Sequence, residues 1–78
     1  MQQLSVDVVM GQNLRSLRAV AGLSQAELGA RCDDNLSSQQ ISKYELGDNS
    51  ISCARLIEFV GILNCRVLDF FKGVTPHA

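Results

Sequence analysis

Two serines in this chain each stand three positions ahead of a side chain that can reach back: Ser24 before Glu27, and Ser37 before Gln40. That spacing is a capping box. The serine hydroxyl takes the amide three residues on, and the Glu or Gln side chain takes the serine's own amide. Each serine therefore opens a helix. Between them there is room for only one short helix, about Gln25 to Cys32. It is followed by Asp33-Asp34-Asn35, short polar side chains that tolerate left-handed backbone. The next helix runs from its Ser37 cap to about Leu46 and stops at Gly47. Two short capped helices joined by a polar turn constrain the fold more than any other stretch.

The flanking segments supply the scaffold. Val6, Met10, Leu14, Leu17 and Ala21 recur at steps of three and four, which predicts a helix over Val6 to Ala21 with Arg15 and Arg18 beside the stripe and Gly22 as its stop. In the short second helix the buried positions are expected to be Ala26 and Leu28, with Gly29 facing the next helix. After the loop Gly47-Asp48-Asn49-Ser50-Ile51, Ser52 caps a fourth helix that buries Leu56, Phe59, Val60 and Leu63 and ends near Asn64. A last helix, roughly Arg66 to Lys72, carries Val67, Phe70 and Phe71 before Gly73 and Pro76 end it. The expected fold is all-α, a five-helix single domain over 1–78, with its core at about 6–72 and a frayed tail at 73–78. With three Phe, one Tyr and no Trp, that core must be mostly Leu, Ile and Val.

Several function classes are disfavoured. No stretch approaches the roughly 18 consecutive apolar residues of a membrane span. The opening Met-Gln-Gln-Leu-Ser-Val-Asp has no basic leader before an apolar run, so a cytoplasmic location is expected. Cys32, Cys53 and Cys65 form no Cys-x-x-Cys pair, and the one histidine is His77 in the tail; no metal site is expected, and the cysteines read as small buried hydrophobes. No Gly-rich phosphate loop and no Ser-His-Asp or Cys-His set is present, so neither catalysis nor a cofactor or small-molecule substrate is expected.

The helix after Ser37 shows what the chain can do. It buries Ile41, Tyr44 and Leu46 on one side and displays serines, glutamines and a lysine on the other. Those side chains hydrogen-bond base edges and phosphates in a major groove. The order and spacing of these pieces resemble the lambda repressor/Cro-type (xenobiotic-response-element-type) helix-turn-helix regulators of bacteria and phages. The resemblance is carried by Arg18, Leu23-Ser24-Gln25, Gly29 where the family usually has Ala, Ile41, Tyr44-Glu45-Leu46-Gly47, and Leu68-Asp69-Phe70-Phe71. It covers about Met10 to Lys72.

The resemblance implies a role for each matching residue. Gln25 would bind a phosphate at the first turn of the second helix. Ser37 at the cap, Ser38, Gln39, Ser42 and Lys43 would face the groove, with Gln39 the best base reader because a Gln amide pairs bidentately with adenine. Gln40 would be held by the cap or shared between cap and DNA, and Asn49 and Ser50 would contact DNA backbone. Arg18 and Glu45 would form an internal ion pair beneath the third helix. The turn is about two residues longer than the family's usual one and carries Asp33 and Asp34, and Asp48 follows Gly47 where the family often has a cation. Both departures lower the expected affinity.

A formal net charge of −1 leaves little non-specific attraction to DNA. The expected partner is therefore a pseudo-palindromic double-stranded operator bound by a homodimer. Phe70 and Phe71 are adjacent and cannot both face one core; one of them, with Val67 or Val74, is a candidate dimer contact. The competing reading is a protein-interaction module of the same fold, such as an antitoxin or regulator-binding domain, with DNA binding secondary.

Overall fold

The computed structural model describes residues 4–75. Four α-helices follow one another: α1 (Val6–Val20), α2 (Gln25–Arg31), α3 (Ser38–Leu46) and α4 (Cys53–Leu63). Each opens on a serine. Ser5, Ser24, Ser37 and Ser52 hold extended backbone and accept, through their hydroxyls, the amide three residues on. At Ser24 and Ser37 the return bonds close both boxes: Ser24 N–H donates to Glu27 Oε1 at 2.9 Å and Ser37 N–H to Gln40 Oε1 at 2.9 Å.

The expected fifth helix is not α-helical. Val67–Phe71 forms a 3-10 helix, following Asn64 in left-handed backbone at φ 52°. Five residues are too few to repay the nucleation of an α-helix. The segment is held instead by side chains: Arg66 N–H donates to Asp69 Oδ2 at 2.9 Å, and Asn13 Nδ2 donates to the carbonyls of Phe70 and Lys72 at 2.7 and 2.9 Å. Within the expected tail, Val74 is half-buried and packs on the core. Residues 76–78, with Pro76 and His77, lie outside the described residues.

Met10, Leu14, Leu23, Leu28, Cys32, Ile41, Leu56, Phe59, Leu63 and Phe70 form the core. At its centre Phe59 meets Tyr44 edge-on at 5.8 Å and stacks on Phe70 at 6.5 Å. Five expected burials fail. Ala26 is exposed because it lies two residues, about 200° of helix, from Leu28. Val6 and Ala21, at the two ends of the α1 stripe, are exposed, and so is Leu46, one residue past the inward Glu45. Cys32 is buried and Cys65 half-buried as small hydrophobes, but Cys53 is exposed in the first turn of α4.

Two glycines set the distances between elements. At Gly29 a Cβ would strike the carbonyl oxygen of Leu36, whose amide donates to Gly29 O at 2.9 Å, so the close approach is to the turn, not the body of α3. At Gly11 a Cβ would collide with the carbonyls of Tyr44 and Glu45, so α1 and α3 cross with their backbones nearly touching.

Candidate nucleic-acid interface

α3 is fixed from beneath before it presents anything outward. Its inward residues are Ile41, fully buried, and Glu45, 6% exposed. An ionised carboxylate at such depth needs compensating donors. Arg18 of α1 supplies two, Nε to Oε2 at 2.6 Å and one terminal nitrogen to Oε1 at 3.2 Å, while its other terminal nitrogen donates to Leu23 O at 2.9 Å. Gln25 of α2 supplies a third, Nε2 to Oε1 at 3.0 Å. The Glu45 carboxylate holds the Arg18 guanidinium more firmly protonated than usual. One buried acid therefore ties α1, α2 and α3 together.

The opposite face is open. Ser37, Ser38, Gln39, Gln40 and Lys43 are exposed and Ser42 is half-buried. Among the described residues the side chains of Ser38, Gln39, Ser42, Lys43 and Asn49 make no hydrogen bond or ion pair. Gln40 is divided: its Oε1 serves the cap, and its amide nitrogen, with two hydrogens, remains outward. The structure thus brings Ser38, Gln39, Gln40, Ser42 and Lys43 onto one helix, all short of partners.

Gln25 and Ser50 already have partners that sequence reasoning did not supply. The Gln25 amide donates to Glu45, leaving one of its two hydrogens for any phosphate. Ser50 donates its hydroxyl to Asp7 Oδ2 at 2.8 Å, tying the loop after α3 to the start of α1. Asp34 does not project a bare charge: Arg55 of α4 binds it bidentately at 2.9 and 2.8 Å and holds its carboxyl below the usual range. No signal in the turn itself pointed to a cation more than twenty residues further along the chain.

The candidate dimer residues separate. Phe70 is fully buried on Phe59 and cannot form an interface; a 3-10 repeat turns it inward while Phe71, 39% exposed, faces out. Val67 is exposed and Val74 half-buried against the core. Leu68, 72% exposed, is a further apolar side chain on this surface that sequence reasoning had placed only in the family pattern.

The helix-turn-helix family model matches residues 14–70, which takes in α2, α3, α4 and the second half of α1. The chain belongs to the Cro/C1-type helix-turn-helix family. Among its relatives, an uncharacterized HTH-type transcriptional regulator of Sinorhizobium medicae is 37% identical over 67 residues, 86% of this chain and 47% of that one. A transcriptional regulator in the ATPase CF(0) region of Rhodospirillum rubrum is 39% identical over 69 residues, 88% of this chain and 62% of that one. A third, the HTH-type regulator RP497 of Rickettsia prowazekii, is 36% identical and covers 88% of this chain and 52% of that one. The chain thus spans about half the length of the curated relatives it matches. The clp gene regulator ClgR from C. glutamicum has a similar solved structure, with a TM-score of 0.81, 25% identity, and coverage of 91% and 90% of the two chains. This helix-turn-helix family is one of transcription regulators, generally not enzymes. Among the described residues no helix is long and apolar enough to cross a membrane.

Proposed function

We infer that the chain is a sequence-specific DNA-binding transcriptional regulator that reads a short operator through α3 and acts by occupying it as a homodimer. The observation that carries this reading is the asymmetry of α3. Its inner side is locked by Ile41 and the Glu45 ion pair, while the outward side chains of Ser38, Gln39, Ser42 and Lys43 have no hydrogen bond or ion pair among the described residues. Unpaired amide, hydroxyl and ammonium groups on a rigid helix match base edges and phosphates. Family membership and the regulator relatives support the same reading.

Within it, Gln39 reads a base, and Ser38, Ser42 and Lys43 hold the helix in register, with the Gln40 amide as a second donor. Asn49 lies beyond α3 as a backbone contact. Gln25 contributes only by sharing its amide between Glu45 and a phosphate, and Ser50 only by releasing Asp7. Val67, Leu68 and Phe71 form the dimer contact.

Selection of bound duplexes from a random-sequence pool tests this reading. The expected result is enrichment of a two-fold-symmetric motif, with affinity that falls steeply as salt rises. A pool that stays random after repeated rounds overturns it and favours the protein-interaction module.

A further inference from the structure

The long acidic turn has a partner across the fold. Six residues, Cys32 to Ser37, separate α2 from α3. Arg55 stands in the first turn of α4, its own amide held by Ser52 Oγ at 3.1 Å. Its guanidinium takes both oxygens of Asp34 at 2.9 and 2.8 Å and Glu58 Oε1 at 2.6 Å. It also lies 6.0 Å from the ring centre of Tyr44 on α3. Glu58 completes the grip, since its other oxygen accepts the Asp33 amide at 2.6 Å. The turn is thus fastened to α4 by a carboxylate on one side and a backbone amide on the other. Beyond it, Leu36 N–H is bonded to Gly29 O, and Ser37 starts α3 directly.

We propose that Arg55, by gripping Asp34 and Glu58, is a positioning residue that fixes the long turn and so sets the angle at which α3 presents Ser38 and Gln39 to DNA; this rests on the groove-reading role of α3. The Asp34 side chain is 57% exposed, and an ion pair that open adds little to global stability. Its fork-to-fork geometry fixes direction instead. The turn therefore offers α3 a fixed support from α4.

Asp34→Asn separates this role from its alternatives because the two effects on DNA binding have opposite signs. Removing a negative charge near phosphates raises affinity for every duplex. Loosening α3 lowers affinity for the selected duplex alone. The expected result is a roughly five- to tenfold loss on the selected duplex, with scrambled-duplex binding unchanged or tighter, an unchanged melting temperature, and substantial recovery in Asp34→Glu. In the free protein, hydrogen exchange at the Leu36 amide should accelerate about tenfold or more while core amides keep their rates. Parallel gains on both duplexes, or no change on either, overturn the proposal. So does an unchanged Leu36 exchange rate, which is read without DNA. A wild-type chain that prefers no duplex overturns the groove-reading role instead, and the exchange rates still decide the latch.

Discussion

At Glu45 a carboxylate 6% exposed accepts three donors on two oxygens, two from Arg18 and one from Gln25. Truncating it strands the Arg18 guanidinium, whose side chain is only 16% exposed, and frees Gln25. Loss of one partner from a buried pair costs about 3–5 kcal/mol. Glu45→Ala should lose about 3 kcal/mol in urea unfolding, toward the lower end because Arg18 retains Leu23 O and some access to water. Glu45→Gln keeps an acceptor and should lose less. Equal losses for the two would mean that the site needs charge rather than hydrogen bonds. Lys43, exposed on the other side of the same helix, should give the reverse pattern: Lys43→Ala leaves the melting temperature unchanged and weakens DNA binding. The two residues lie only two positions apart, and burial alone separates their roles.

At the scale of elements, the four α-helices were legible because each announces itself chemically. Ser5 apart, the caps at Ser24, Ser37 and Ser52 could be read from spacing, and the apolar stripes of α1 and α4 located their inward faces. What could not be read was how the elements meet. Gly11 belongs to neither the apolar stripe nor the caps of α1, although a glycine inside a helix costs about 1 kcal/mol relative to Ala and so hints at a packing reason. That reason is the crossing with α3, where a Cβ would lie 2.5 Å from Glu45 O. Gly11→Ala should therefore destabilise despite its better helix propensity, by about 1–3 kcal/mol as an overpacked contact. A thermal melt shifted upward would show that the two helices can separate without loss. The 3-10 helix was misread for a related reason. Its conformation depends on Asn13, more than fifty residues away, taking the carbonyls of Phe70 and Lys72, and no local propensity encodes that. For the candidate site, helical period placed Ser38, Gln39, Gln40 and Lys43 on the exposed side of α3, but it also turned the exposed Leu46 inward. It could not show that Gln25, Ser50 and Asp34 already have partners within the fold.

At the scale of the molecule, charge is the argument for the proposed dimer. Of the seven Lys and Arg, Arg18, Arg55 and Arg66 are committed to ion pairs, and α3 itself carries only Lys43. A surface with so few free cations gains little from phosphate neutralisation, so joining two copies is the direct route to useful affinity. A two-fold dimer would place its recognition helices about 34–36 Å apart, one turn of DNA. Phe71→Glu, at an exposed position, should keep the fold and give monomers in sedimentation at micromolar concentration, with operator affinity reduced at least tenfold; a wild-type chain that sediments as a monomer both free and on DNA would remove the dimer. The central claim is that α3 reads bases, and fluorescence anisotropy of Gln39→Ala on selected and scrambled duplexes at one salt concentration tests it most directly. The account predicts a loss of about 1–3 kcal/mol on the selected duplex, relaxed preference at one base pair, and no change on the scrambled one. An equal loss on both duplexes, or none on either, would contradict it.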